Sequence, residues 1–199
     1  VKSNGGRIER CLAVRELLAG RGDELAVIGL GSPVWDCTAV EDHTLNFPLW
    51  GAMGSAAMIG LGLALAQPER RVLVITGDGE LLMGLGALPT IAAQKPKNLA
   101  IAVLDNEIYG ETGGQPTHTS FGVSLSMMAK GAGFSDALTA ADDEDLSRAV
   151  QMVRFGRGPV LVDIKVTQDA SPLVMPPREG TALKNRFRKA LLGQDALKE

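Results

Sequence analysis

The sequence predicts an α/β protein built on an open parallel sheet with helices on both faces, and three observations carry that expectation. The apolar runs "VLVI" (72–75), "AIAVL" (100–104) and "VLVDI" (160–164) read as strands buried on both sides. Segments of helical spacing alternate with them. Short Gly-rich turns, "GLGS" at 29–32 and "GDGE" at 77–80, follow predicted strands. In such a sheet the crossovers are right-handed, and ligands sit beyond the carboxyl ends of the strands.

The elements follow in order. Ile8, Cys11, Leu12, Leu17 and Leu18 recur at helical spacing within residues 7–20, closed by Gly20 and Gly22. "ELAVIGLGS" reads as a strand entering a Gly-rich turn. Residues 33–50, with Pro33, Trp35, Asn46, Pro48 and Trp50, are expected to be an irregular surface loop outside the core. A Gly/Ala-rich helix begins at Gly51. Its 17 uncharged residues before Pro68 approach membrane-span length, but the "ERR" and strand that follow fit a helix buried on both sides inside an α/β domain. Next come a strand at 71–76, a helix from about 80 to 94, a strand at 98–104 and a polar loop, "ETGGQPTHTSFG". A helix at about 124–132, a short strand near 136–139, an acid-capped helix at 142–155 and the strand "PVLVDIKV" complete a domain over 1–170. Residues 171–199 form a tail, Pro-rich at first and then a basic helix, "TALKNRFRKALL", expected to pack on the domain or on a partner. Its Lys184, Arg186, Arg188 and Lys189 read as a solvated or interface face.

Composition narrows the function classes. With 45% hydrophobic and 22% charged residues over 199 positions, the chain reads as one ordinary globular domain, and no repeat or low-complexity segment is visible. A net charge of −3 with scattered Lys and Arg leaves no nucleic-acid footprint. Cys11 and Cys37 stand alone, which argues against zinc or iron–sulfur sites and fits reduced thiols in a cytoplasm. The opening "VKSNGGRIERCLAV" lacks the apolar core of a signal peptide.

The chemistry gathers at the rim. Strand–Gly–helix turns present free backbone N–H groups that favour a phosphate. Asp78 among them would repel a phosphate unless a cation lay between. Asp78, the amide oxygen of Asn106 and nearby backbone carbonyls are hard oxygen donors, and Mg²⁺ takes one or two carboxylates together with phosphate oxygens. A metal-bridged diphosphate is therefore a sensible occupant, although neither GDG nor DN is specific alone. His118 and His43 both lie in predicted loops of this rim, where each could relay protons or simply hydrogen-bond locally.

The stretch "GDGELLMGLGALPTIAAQKPKNLAIAVLDNEIYG" resembles the cofactor motif of the thiamine-diphosphate-dependent 2-oxo acid decarboxylases. "NFPLWGAMGSAAMIGLGLAL" before it and "GGQPTHT" after it extend the likeness to about residues 7–167. The loop and the tail look most like the sulfopyruvate and phosphonopyruvate decarboxylase group. The resemblance implies a thiamine-diphosphate-binding fold of the diphosphate-binding type, with Asp78, Asn106 and the backbone oxygen of Ile108 as Mg²⁺ ligands. It implies Gly77, Gly79, Glu80 and Ser32 at the diphosphate, Gly79 and Glu80 through backbone N–H groups. Gly51 would accept a hydrogen bond from the aminopyrimidine, and Met53 would wedge the cofactor's two rings, the alternative for Met53 being a core position. Tyr109 would pack at the cofactor edge or anchor its own turn.

Two departures from the family pattern stand out. Glu80 replaces a small residue, so its side chain is expected to turn outward as a helix N-terminal carboxylate or to pair with a cation on another chain. Asp105-Asn106 replaces Asn-Asn, leaving the ligand intact and adding a carboxylate. Because the family's catalytic Glu belongs to a separate pyrimidine-binding domain with no counterpart in this chain, the resemblance implies a partner subunit in a hetro-oligomer, without which the chain is inactive. It implies decarboxylation of a small anionic 2-oxo acid to an aldehyde, carried by the cofactor. An acetolactate-synthase-like carboligase subunit and a non-catalytic cofactor-binding subunit are the competing readings. A 2-oxo acid oxidoreductase subunit is disfavoured by the isolated cysteines.

Overall fold

Strand residues of alternate parity face opposite sides of a sheet, and here both sides are apolar. The computed structural model describes residues 7–168 and 173–197; the boundary expected between 170 and 171 lies outside the described residues. In chain order the elements begin with α1 (Arg10–Leu18), β1 (Leu25–Ile28), α2 (Ser32–Val40), β2 (Asn46–Pro48) and α3 (Ala56–Ala66). They continue with β3 (Val72–Gly77), α4 (Asp78–Met83), α5 (Ala87–Gln94), β4 (Leu99–Asp105), β5 (Ile108–Tyr109) and β6 (Gln115–Pro116). The last are α6 (Leu125–Ala132), β7 (Asp136–Ala140), α7 (Asp143–Phe155), β8 (Val160–Lys165) and α8 (Gly180–Leu192).

Six strands form one parallel sheet in the order β2-β1-β3-β4-β8-β7. Leu25, Val27, Val72, Val74, Leu99, Ile101 and Val103 pack on one face against α3, α5, α6 and Phe187 of α8. Ala26, Ile28, Leu73, Ile75, Ala100 and Ala102 pack on the other against α1, α2 and α7. The β3 and β4 residues up to Ile75 and Val103 are fully buried, which explains their nearly continuous apolar sequence. The chain leaves β1 toward β2 on one side and reaches β3 on the other, so the carboxyl ends of β1 and β3 flank a topological switch point.

Four expectations are corrected. Residues 33–50 are not an irregular loop outside the core: they hold α2 and edge strand β2, with Val34 and Cys37 buried. Pro33 sits in the first turn of α2, where its missing N–H costs nothing, and Gly31 supplies the turn before it at φ 90°. The helix expected over 80–94 is two helices broken at Gly84–Gly86, because Gly84 lies against the Gly54 carbonyl where a Cβ would collide. The polar loop contains the β5–β6 hairpin and a 3₁₀ turn over His118–Phe121. The Gly/Ala helix starts at Ala56 rather than Gly51, and it is buried on one face only, with Met58 and Leu65 exposed on the other. Among the described residues no helix is long and apolar enough to cross a membrane.

On the tail, Leu183 and Phe187 of α8 are buried, Phe187 packing on Phe47 of β2 with ring centroids 5.3 Å apart and planes tilted by 58°. Arg186 forks onto Asp42 at 2.8 and 2.9 Å. Helix α8 thereby covers the apolar side of the edge strand.

Candidate functional site

Three turns converge on the carboxyl rim. Gly31 and Ser32 follow β1, Gly77–Glu80 follow β3, and Asn106 and Ile108 follow β4; together with Met53, Tyr109 and Glu111 they line one cleft. Register puts them there: Ile28 is level with Ile75, and Gly77 with Leu104, so the strand ends finish side by side. Gly79 is required in this arrangement, since a Cβ would lie 2.5 Å from the Tyr109 ring.

Asp78 begins α4 and is 2% exposed. Its Oδ2 accepts hydrogen bonds from Thr117 Oγ1 at 2.5 Å and Thr119 Oγ1 at 3.1 Å. The single Thr119 hydroxyl proton is shared between Asp78 and Asp105, whose Oδ1 lies closer at 2.8 Å. Asp105 is ion-paired with Lys165, whose Nζ also lies 3.7 Å from Glu107, and Glu107 pairs with Arg7. Burial, and then repulsion from Asp105, push the Asp78 carboxyl up to about 6 against the pull of the threonine hydroxyls. Asn106 closes an Asx turn, its Oδ1 accepting from Ile108 N at 3.2 Å. Both Asn106 and Ile108 border the cleft. Behind them Asp163 of β8 is fully buried; no donor reaches its carboxylate oxygens, and Asp105 is the group it bonds when protonated. Its pKa is pushed up to about 8 by burial and then by Asp105.

The structure thus brings Ser32, Met53, Gly77, Asp78, Gly79, Glu80, Asn106, Ile108 and Tyr109 to one cleft. Gly51 lies two residues from Met53 in the exposed turn before α3 and does not line it. His118 is outside the cleft, on the far side of Tyr109, in a groove with Leu82, Met83 and Met128. His43 is at the opposite rim, which corrects the expectation for it. It precedes β2, whose first residue Asn46 is level with Ala26, and its Nδ1 accepts from Leu45 N at 3.1 Å. Glu80 is corrected as well, because its carboxylate turns neither outward nor toward another chain. It is buried among Thr76, Gly29 and the start of α3, bonded to Thr76 Oγ1 and to Ala56 N, and burial raises its pKa.

Thr117 and Thr119, which hold Asp78, were not legible as site residues beforehand. The T-x-T alternation within "QPTHT" was their only signal. Asp163 and Lys165 were signalled by charges inside the apolar run "VLVDIKV". Among the described residues no three His, Cys, Asp or Glu side chains form a metal-sized group. A cation beside Asp78 would therefore meet one carboxylate, an amide and a carbonyl, the mixed oxygen set that suits Mg²⁺.

Residues 32–164 match the family described as "Thiamine pyrophosphate enzyme, C-terminal TPP binding domain". The chain is 37% identical over 186 residues to the sulfopyruvate decarboxylase subunit beta of Methanothermobacter thermautotrophicus, covering 94% of this chain and 97% of that one. It is 38% identical over 164 residues to the phosphonopyruvate decarboxylase of Streptomyces viridochromogenes, covering 82% of this chain and 41% of that one. A thiamine diphosphate-dependent 4-hydroxybenzoylformate decarboxylase of Rhodococcus jostii superposes with a TM-score of 0.70 at 21% identity, over 86% of this chain and 35% of that one. That last likeness is one of fold.

Proposed function

The chain belongs to the thiamine pyrophosphate enzyme family through its C-terminal cofactor-binding domain, and from that premise we propose that it is the diphosphate-binding subunit of a decarboxylase acting on a small anionic 2-oxo acid. The observation that carries the reading is Asp78. It is a buried carboxylate hydrogen-bonded to threonine hydroxyls and its own backbone, with no cationic partner among the described residues. A carboxylate held this way, at the end of a parallel strand and beside a helix N-terminus, needs a cation to offset its charge.

The residues present suit thiamine diphosphate with Mg²⁺. Asp78, Asn106 and the Ile108 carbonyl would hold the metal. The N–H groups of the Gly77–Glu80 turn and Ser32 would receive the diphosphate. Met53 and Tyr109 would flank the rings, and the Gly51 carbonyl would meet the aminopyrimidine. Thr117 and Thr119 fix the orientation of the Asp78 carboxylate, so that it meets the metal at one angle. When bound, the cofactor supplies the carbon nucleophile and the electron sink for loss of carbon dioxide. His118 borders the groove beyond Tyr109, where it could hand a proton to a product only if a partner extended the cleft over it.

A partner is part of the proposal. The chain spans nearly the whole of a relative named as a beta subunit and less than half of a single-chain one. That supports a second polypeptide carrying the pyrimidine-binding domain and the catalytic Glu. The same two relatives support sulfopyruvate- or phosphonopyruvate-like substrates. The test is calorimetric titration with thiamine diphosphate and Mg²⁺, with and without that partner, followed by assay of carbon dioxide and aldehyde from both 2-oxo acids. Absence of binding in both titrations sinks the reading. Acyloin in place of aldehyde replaces it with the carboligase.

A further inference from the structure

Helix α3 has no cap of its own. Ser55 stands at its N-cap position, but its side chain makes no capping hydrogen bond. The first helical N–H groups have no partner within a helix and must find one elsewhere when buried. Ala56 is 1% exposed, and its N–H is met by a residue from another element: Glu80 Oε1, 3.3 Å away. The Gly54 N–H lies near enough to favour the charged form of this carboxylate, and Thr76 near the end of β3 donates its hydroxyl to the other oxygen. Gly29 makes room, because a Cβ there would overlap Glu80 Oε2 and lie 2.8 Å from Thr76 Oγ1. Glu80 is itself 2% exposed, so the arrangement is enclosed.

The turn that Glu80 grips is a strained one. Ala52 has φ 59° and Gly54 has φ 92°, the first a conformation that L side chains rarely adopt. Such geometry persists when the surroundings impose it. The second hold is on the same helix: Gly54 lies on the carboxyl end of α4, where a Cβ would come within 3.1 Å of Gly84 N. Both ends of α4 therefore hold Gly54 and Ala56, the residues that follow the Gly51–Met53 turn, and the amino end of α4 carries Asp78.

We propose that the Glu80 side chain is a positioning residue, which sets the Gly51–Met53 turn at a fixed distance from the Asp78 turn. This rests on the reading of the cleft as a thiamine-diphosphate site. It adds that one buried carboxylate registers the ring-contacting turn against the diphosphate-contacting turn. Glu80 then contributes twice, its backbone N–H to the diphosphate and its side chain to α3. The carboxylate does this through hydrogen-bond geometry, so Gln, which keeps an acceptor of the same reach, should restore most of what Ala removes.

The test compares the wild-type full chain with Glu80→Ala, Glu80→Gln and the milder Thr76→Val. Amide hydrogen exchange is expected to quicken about tenfold at Gly54 and Ala56 in Glu80→Ala, less in the other two, and to stay unchanged at β4. By titration, Mg²⁺ with inorganic pyrophosphate should bind Glu80→Ala within about threefold of wild type, while thiamine diphosphate with Mg²⁺ weakens about tenfold. Glu80→Gln should recover most of that loss. Unchanged exchange at Gly54 and Ala56 overturns the proposal, as does equal weakening of pyrophosphate and thiamine diphosphate. If Glu80→Ala does not fold, the same outcomes are read on Thr76→Val, with Glu80→Gln as the near-wild-type comparison. Failure of the wild-type chain to bind thiamine diphosphate, alone or with its partner, overturns the cofactor reading instead, and the exchange result still stands.

Discussion

Replacing Asp163 by Asn should shift stability in the variant's favour by an amount that grows with pH. Asp163 is in the middle of β8, fully buried, with no donor on either carboxylate oxygen, and Lys165 Nζ, 3.9 Å away, is engaged with Asp105. Burial first, and the Asp105 charge second, raise its pKa to about 8, whereas an unfolded Asp titrates at about 3.9. Between those values the native state holds a proton that the unfolded state has released, so stability falls as pH rises. The contribution is full below the unfolded value and lost on the way up to about pH 8. Each pH unit is worth about 1.4 kcal/mol, so from pH 5 to pH 7 the wild type loses about 3 kcal/mol at this one position. Asn is neutral throughout and escapes the loss. Its own packing cost is the same at every pH, which makes the change in the difference the quantity to measure. Urea unfolding of both proteins at pH 5, 6 and 7 in metal-free buffer provides it. A difference that does not move with pH would show that Asp163 is ionised in the fold and would refute the reasoning.

Asp78→Asn should weaken Mg²⁺-dependent thiamine diphosphate binding at least about 100-fold, and Thr117→Val, which removes one of two hydroxyls from Asp78, about tenfold; calorimetry decides both. Arg10 is ion-paired with the fully buried Asp36 between α1 and α2. Arg10→Met should therefore cost about 3–5 kcal/mol in urea unfolding, with much of it regained when Asp36 is made Leu in the same chain. Asn98 directs its amide to the carbonyls of Ala64, Gln67 and Arg70 at 3.1, 2.9 and 2.8 Å, closing the carboxyl end of α3. Asn98→Ala should cost about 1–3 kcal/mol by thermal melting, and Asn98→Asp more, since it turns a charge onto those carbonyls.

How much of this was legible varies by element. The strands β3, β4 and β8 were plain because a strand buried on both faces is apolar at nearly every position, whatever its neighbours. Helix α7 was plain because Asp142 caps it and acids fill its first turn. Helix α2 was hidden. Its N-cap is Gly31, and "SPVWDCTAV" mixes Pro with β-branched residues, so only packing of Val34 and Cys37 against the sheet makes it helical. The break between α4 and α5 was hidden for a similar reason: Gly84 departs from the helix to fit against Gly54, thirty positions earlier.

At the site, Asp78 and Asn106 could be paired from sequence alone because each ends a strand, and parallel strands bring their carboxyl ends to one rim. Sequence likewise determined the oxygen character of the donors, since residue type sets it. What only the tertiary structure decided is which way the remaining side chains turn. His43 looked equivalent to His118 until the direction of β2 put it at the other rim. Glu80, adjacent to the Gly-Asp-Gly turn, looked like a charge to be kept away from the protein, and it is buried as the cap of a helix whose own N-cap residue makes no bond. A side chain's direction depends on the groups that close around it, and these come from distant segments: Gly29, Thr76 and Ala56 for Glu80, Thr117 and Thr119 for Asp78. Composition and period record the element a residue belongs to. They do not record the partner waiting for its polar end.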